Sequence, residues 1–172
     1  MNIRKSDPKD AEYIAKIHTE TWKKVYVDFI PKSYLDNLSI DSSIIRWKKL
    51  LSSEKRLNTA CFVAISKNEI IGFIIGGPNR DKDKEIDGEL YAIYVDQKHH
   101  KTGAGKKLFK TFVNHLIKNN YSAMKLWVLE NNPARKFYEK QGGVFSGETK
   151  EVKFDNSFVI EVSYIWNNLE KL

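Results

Sequence analysis

Three consecutive segments decide the fold. The first is Asp87-Gly88-Glu89-Leu90-Tyr91-Ala92-Ile93-Tyr94-Val95-Asp96. The second is Lys98-His99-His100-Lys101-Thr102-Gly103-Ala104-Gly105-Lys106-Lys107. The third is Trp127-Val128-Leu129-Glu130-Asn131-Asn132-Pro133-Ala134-Arg135-Lys136-Phe137-Tyr138-Glu139-Lys140-Gln141. Glu89 to Val95 is largely apolar on both faces, which predicts an interior strand and leaves Glu89 needing a polar site, a salt bridge or the strand's wet end. Alternation puts Glu89, Tyr91, Ile93 and Val95 on one face and Leu90, Ala92 and Tyr94 on the other. After the glycine-bearing loop, Leu108, Phe109, Phe112, Val113, Leu116 and Ile117 recur at helical spacing. Ala123 to Leu129 predicts another strand, so the unit is a right-handed crossover between parallel strands. Asn132 can cap a helix with Pro133 at its first position, running to Lys140 and stopped by Gly142-Gly143.

Upstream, Asn2 to Lys5 reads as a strand. Asp7 caps a helix with Pro8 at its first position, ending near Trp22. Helical stretches follow at Pro31 to Leu38 and after Asp41, where Ile44, Trp47 and Leu51 share a stripe. Cys61 to Ser66 and Glu69 to Ile75 form a hairpin turning at Lys67-Asn68, closed off by Gly76-Gly77-Pro78-Asn79. Arg80 to Asp87 predicts an exposed charged loop. Downstream, Val144 to Lys153 and Phe158 to Trp166 pair across Asp155-Asn156. The result is an α/β chain with a mixed sheet, antiparallel early, parallel once in the middle and antiparallel at the end. Without repeats or linkers, residues 1–172 are expected to form one domain.

Composition excludes several classes. Hydrophobic content of 41% and charged content of 30% suit a globular chain rather than a disordered one. No stretch approaches the roughly 18 apolar residues of a membrane span, and the start lacks a secretory apolar region, so a cytoplasmic protein is expected. The lone Cys61 reads as a buried small hydrophobe. No His, Cys or Asp cluster has metal-ligand spacing. Net charge is +7, and Asp96 to Lys125 holds seven lysines against one acid. Such a segment suits the phosphates of a cofactor or of a nucleic acid. Nucleic acid is disfavoured, because no helix-turn-helix, zinc finger or aromatic RNA platform accompanies it.

The loop itself is an anion site in outline. The first amides of a helix lack internal partners, Gly103 and Gly105 permit close approach, and Lys101, Lys106 and Lys107 add charge. A lone Gly-x-Gly is weak, but its context is not. His100-Lys101-Thr102-Gly103-Ala104-Gly105 resembles the Gln/Arg-x-x-Gly-x-Gly/Ala loop of the GCN5-related N-acetyltransferases (GNAT). Glu89 to Asp96 resembles that family's fourth strand, and Val63 to Phe73 its preceding hairpin. Asn131-x-x-Ala134-x-x-x-Tyr138 resembles its later motif, and Ile3 to Ile14 its first strand and helix. Two departures stand out: His100 replaces Gln or Arg, and Gln141-Gly142-Gly143-Val144 replaces Gly followed by an aromatic.

The resemblance implies a single-domain mixed, mostly antiparallel twisted sheet of about seven strands, flanked by helices and splayed between its two central parallel strands. It implies acetyl-CoA as acetyl donor, no metal, and a small-molecule or peptide amine as acceptor. A homodimer, common among similar proteins, is left open. Ile93, Tyr94 and Val95 would meet the pantetheine arm. His100, Lys101, Thr102, Gly103, Ala104, Gly105 and Lys106 would hold the pyrophosphate, with Asn131 reaching the pantetheine and Tyr138 near the sulfur. Tyr138 would protonate the leaving thiolate. With a thiol near ~8.5 and tyrosine near ~10, that transfer is uphill by only ~1.5 units, roughly 2 kcal/mol. Glu89 is the candidate base, against a salt bridge or direct loss of the proton to water. Trp22, Tyr26 and Tyr34 either line the acceptor pocket or pack the core, and His18 reads as a packed helix histidine. A non-catalytic acyl-CoA sensor would keep the same cofactor motifs. The acids Asp81, Asp83, Glu85, Asp87 and Glu89, interleaved with Lys82 and Lys84, could attract a cationic acceptor.

Overall fold

The computed structural model describes residues 1–81 and 85–172, except for the side chains at positions 55 and 56. Lys82, Asp83 and Lys84 lie outside the described residues. Strand β1 (Asn2–Lys5) leads into a 3-10 turn at Pro8–Asp10. Asp7 accepts from Lys9 N while Asp10 accepts from Asp7 N, a reciprocal cap that fixes the chain's entry into helix α1 (Ala11–Val25). That helix runs three residues past its expected end at Trp22 and finishes on Lys23 and Lys24, which suit the negative helix terminus. Helices α2 (Lys32–Asp36), α3 (Ile40–Ser52) and α4 (Glu54–Leu57) follow.

Strands β2 (Ala60–Ser66) and β3 (Glu69–Pro78) join through Lys67 and Asn68, both at positive φ, as a primed hairpin turn demands. β3 continues through Gly76 and Gly77 instead of stopping there, because both pair with β4 (Gly88–Val95). Helix α5 (Ala104–Lys118), β5 (Met124–Leu129), α6 (Arg135–Lys140), β6 (Val144–Phe154) and β7 (Ser157–Trp166) complete the chain. The sheet order is β1-β2-β3-β4-β5-β7-β6, antiparallel except for the parallel β4–β5 step.

One face of the sheet carries α5, whose Leu108, Phe109, Phe112, Val113 and Leu116 are all buried, as the spacing predicts. Each fully buried side chain of this kind contributes about 1.5–3 kcal/mol. The other face carries α1 and α3, packing Ile14, Trp47 and Leu51 on Val63, Phe73 and Ile75. A third cluster joins Tyr26, Ile30 and Leu35 to Leu129 and Phe154.

The expected alternation along β4 is wrong in one place, and the place matters. Ile75 pairs with Ala92 and Gly76 with Leu90, so Tyr91 is an extra residue, a β-bulge. Leu90 therefore packs on the α5 side together with Ile93 and Val95, while Tyr91, Ala92 and Tyr94 face α1. Glu89, next to Leu90, points away from the α5 side and does not share a face with Ile93 and Val95.

Candidate active site

The bulge bends β4 away from β5. The two strands pair only at Gly88 with Met124 and Glu89 with Lys125, then diverge. Gly88 to Leu90 are buried, whereas Tyr91 to Val95 are part-exposed although the strand lies mid-sheet. A V-shaped gap therefore opens beside the second half of β4, leaving the edge of Ile93, Tyr94 and Val95 without a strand partner on that side.

The glycine loop sits at the mouth of this gap. Asp96 accepts from Lys98 N at 3.0 Å and Thr102 Oγ1 donates to the His99 carbonyl at 2.7 Å, which shapes the turn. Lys101 (φ +62°) and Gly103 (φ +85°) take the left-handed conformation. The first internal bond of α5 runs from Lys107 N to Gly103 O at 3.0 Å. The amides of Ala104, Gly105 and Lys106 thus have no helical acceptor, and no side chain caps them. A Cβ on Gly105 would touch Phe137 at 3.4 Å and Val95 at 4.0 Å, so helix start, strand edge and α6 converge here. His100 bonds the Val95 carbonyl through Nε2 at 2.9 Å. The residue in the usual Gln/Arg position is thus turned onto β4, with its ring between loop and gap.

Behind the mouth lie three phenols. Tyr138 is buried on α6 among the α5-side core, and its hydroxyl has no hydrogen-bond partner among the described residues. Burial, with the neighbouring Tyr26, pushes its pKa well above the usual tyrosine range. Tyr94 of β4 accepts from Trp22 Nε1 at 2.9 Å, and Tyr26 accepts from Asn132 Nδ2 at 3.1 Å. Asn131 is exposed at the end of β5, while the buried neighbour is Asn132, whose Oδ1 accepts from Ala134 N at 2.8 Å. The helix it introduces begins only at Arg135.

Glu89 is 1% exposed and fully engaged. Arg80 grips both carboxylate oxygens, through Nε at 3.0 Å and through Nη2, and its backbone N donates to the same group at 2.8 Å. The Arg80 guanidinium also stacks on Tyr91, 4.3 Å from the ring centre, and is raised chiefly by the Glu89 bond. Arg80 was expected in an exposed loop. No spacing rule links it to Glu89, and only the β3–β4 pairing brings them together.

Trp22, Tyr26 and Tyr34 are brought together, packed with Phe154 at ring distances of 4.9 to 6.4 Å. They belong to the third hydrophobic cluster, with Tyr26 buried and Trp22 and Tyr34 part-buried against it. Beside it lies a cleft of about 290 Å³ lined by Asp28, Phe29, Glu130, Asn131, Phe158 and Ile160. His18 packs among Trp22, Trp47, Phe73 and Tyr94, and burial, helped by Arg46, lowers it to about 4. Cys61 is buried, and its thiol is pushed up to about 12. Of the acids near position 85, Asp81 is spent on Lys125 and Trp127, and Asp87 on the backbone of Ser122 and Ala123. Among the described residues no group of three or more His, Cys, Asp or Glu side chains is placed to hold a metal ion. No helix among them is long and apolar enough to cross a membrane.

A family model described as the acetyltransferase (GNAT) family matches residues 15–143, the span that contains the gap, the loop and Tyr138. This chain belongs to the GNAT acetyltransferase family. YuaI of Bacillus subtilis strain 168, an uncharacterized N-acetyltransferase, is 34% identical over 140 residues, 81% of this chain and 78% of that protein. The ribosomal-protein-alanine N-acetyltransferase of Brucella melitensis superposes with a TM-score of 0.75 at 16% identity, covering 96% of this chain and 99% of its own. YncA of Salmonella typhimurium, solved with its cofactor acetyl-CoA, gives 0.72 at 18% identity over 98% and 94% of the two chains. These superpositions establish the GNAT fold with its open mixed sheet, and family membership makes the protein an acyltransferase of the N-acetyltransferase type.

Proposed function

We propose that this GNAT protein moves an acetyl group from acetyl-CoA directly to a primary amine within a ternary complex. The observation that carries this reading is the gap beside Ile93 to Val95, with unpaired helix amides at its mouth, and Tyr138 of α6, whose hydroxyl has no partner among the described residues, would supply the acid. The amides of Ala104, Gly105 and Lys106, with Lys101 and Lys106 side chains, would hold the pyrophosphate. The open edge of β4 would meet the pantetheine as an added strand, and exposed Asn131 would reach it from β5.

The amine nitrogen attacks the thioester carbonyl carbon and forms the C–N bond as the C–S bond breaks. Tyr138 gives its phenolic proton to the departing sulfur and recovers one from solvent. The acceptor attacks as the neutral amine, having lost its ammonium proton to water, and the second proton that the nitrogen sheds as the amide forms also leaves to water. Burial raises Tyr138, so its phenol keeps its proton at neutral pH and is ready to donate. We infer that Glu89 serves as a strut held by Arg80 rather than as the base, because both of its carboxylate oxygens already accept hydrogen bonds from that residue.

Replacing Tyr138 by Phe is expected to lower kcat by about 10²-fold or more while leaving acetyl-CoA affinity nearly intact. Unchanged turnover across the pH range would remove the acid role. Tight acetyl-CoA binding with no thiol release for any amine would favour a non-catalytic acyl-CoA sensor instead.

A further inference from the structure

Lys125 is 1% exposed, an ammonium held on an interior strand at the last residue that β5 pairs with β4. A buried charge is costly unless it is paired and hydrogen-bonded. The alternate residues Met124, Leu126 and Val128 pack on the α5 side, so Lys125 and Trp127 belong to the opposite face of the sheet. Two carboxylates meet Lys125 Nζ, Asp81 at 3.0 Å and Glu148 at 3.2 Å. They come from different places. Glu148 belongs to β6, on the β5 side of the split, whereas Asp81 belongs to the connection between β3 and β4.

Asp81 therefore reaches across the apex of the gap. Its Oδ2 accepts from Lys125 Nζ and, at 2.8 Å, from Trp127 Nε1. It thus holds the last paired residue of β5 and the next residue on the same face, where pairing with β4 has ended. The preceding residue holds β4: Arg80 N donates to the Glu89 carboxylate at 2.8 Å, a backbone bond that a change of the Arg80 side chain leaves in place. The segment is itself anchored. Asn79 Oδ1 accepts from Asp81 N at 3.0 Å, and Asn79 Nδ2 donates to the Ile86 carbonyl at 2.8 Å. Consecutive residues, Arg80 and Asp81, tie the two strands together where their own ladder stops.

That apex is the end of the gap where the acetyl group would lie. With its pyrophosphate at the mouth, acetyl-CoA would run inward along β4 from Val95 past Ile93, which leaves the thioester innermost. Misplacing reacting groups by about 1 Å can cost about 10²-fold in rate. We propose that Asp81 is a positioning residue for acetyl transfer: by tying Lys125 and Trp127 of β5 to the segment bonded to Glu89 of β4, it fixes how the two strands part and so where the thioester is held between them. This inference rests on acetyl-CoA occupying the gap as proposed above.

The test compares Asp81→Ala, Asp81→Asn and Glu148→Ala, each at a temperature where the variant is folded. Calorimetry gives acetyl-CoA affinity, thiol release with amine gives kcat, and 13C NMR reports the labelled acetyl carbonyl of bound acetyl-CoA. Asp81→Ala is expected to lower kcat by about 10-fold or more, with acetyl-CoA affinity within about twofold because the pyrophosphate contacts lie at the far end. Its carbonyl resonance is expected to shift or broaden. Asp81→Asn keeps an oxygen acceptor for both bonds and is expected to recover most of the lost kcat. Glu148→Ala takes the other carboxylate from Lys125 without cutting a tie across the split, and is expected to match wild type in all three readouts. Equal losses in Glu148→Ala and Asp81→Ala would mean that Asp81 only neutralises Lys125, and would overturn the proposal. Wild-type kcat and resonance in Asp81→Ala would overturn it too. Should Asp81→Ala not fold, Lys125→Met, which cuts the same ion pair, decides by the same readouts. A wild-type protein that binds acetyl-CoA but acetylates no amine would sink the transfer reaction, and the carbonyl resonance alone then decides the role of Asp81. A protein that binds no acetyl-CoA overturns both.

Discussion

Glu89 separates two mechanisms, and a double-mutant cycle with Arg80 tells them apart. The carboxylate is 1% exposed and takes three hydrogen bonds from Arg80, two from the guanidinium and one from the backbone. Arg80→Ala leaves only the backbone donor. Losing the partner of a fully buried ion pair costs about 3–5 kcal/mol. The Arg80 side chain is 61% exposed, so water enters where it stood, and about 2 kcal/mol is the better figure. For a chain of this length that is a Tm drop of about 4–8 °C. Glu89→Gln removes the charge but keeps one acceptor oxygen, at about 1–2 kcal/mol. The double variant is expected to lie close to Glu89→Gln alone, because no charge is left stranded, which gives a coupling of about 2 kcal/mol. Thermal unfolding followed by circular dichroism measures all four corners. The same proteins report on catalysis: a strut predicts kcat that follows the folded fraction, whereas a base predicts a loss of about 10²-fold or more in a protein of normal Tm. Additive stability effects together with such a kinetic loss would refute the strut.

Other consequences follow from single positions. His18 has an unfolded value of 6.5 and is lowered to about 4 in the fold. Between those pH values the unfolded chain binds a proton that the folded one refuses, so stability is complete above 6.5 and falls on acidification by about 3 kcal/mol. Denaturant titrations of His18→Leu should flatten that window. Gly76→Ala drives a Cβ into the Glu89 carbonyl and the Phe112 ring beside the bulge, and should cost about 1–3 kcal/mol or more in the same titrations. Gly103→Ala meets no atom within 4 Å but must hold φ +85°, so about 1–2 kcal/mol of stability is lost. Calorimetry should also show a loss of acetyl-CoA affinity, because Gly103 sets the backbone just before the amides proposed to hold the pyrophosphate.

Much of this fold is legible because its signals are local. The hairpin at Lys67-Asn68, the amphipathic stripe of α5 and the cap at Asp7 depend on residues a few positions apart. The crossover from β4 through α5 to β5 follows from element order alone. The bulge at Tyr91 leaves no such mark, since every residue from Leu90 to Val95 suits a strand in either register. It reversed the face of Leu90 and Glu89, and with it the geometric case for Glu89 beside Ile93. The partners of Glu89 and Tyr26, namely Arg80 and Asn132, are set by long-range pairing that no short window contains. Asn132 was visible as a helix cap, yet its second bond, to a residue 106 positions away, was not.

The central claim is tested most directly by thiol release from acetyl-CoA, followed with a chromogenic disulfide over a panel of primary amines, for wild type and Tyr138→Phe side by side. Acetyl transfer with Tyr138 as acid predicts amine-dependent release by the wild type, one thiol per acetylated amine, and a loss of about 10²-fold in the variant at unchanged acetyl-CoA affinity. Release that needs no amine, or equal rates in the two proteins at every pH, would contradict it.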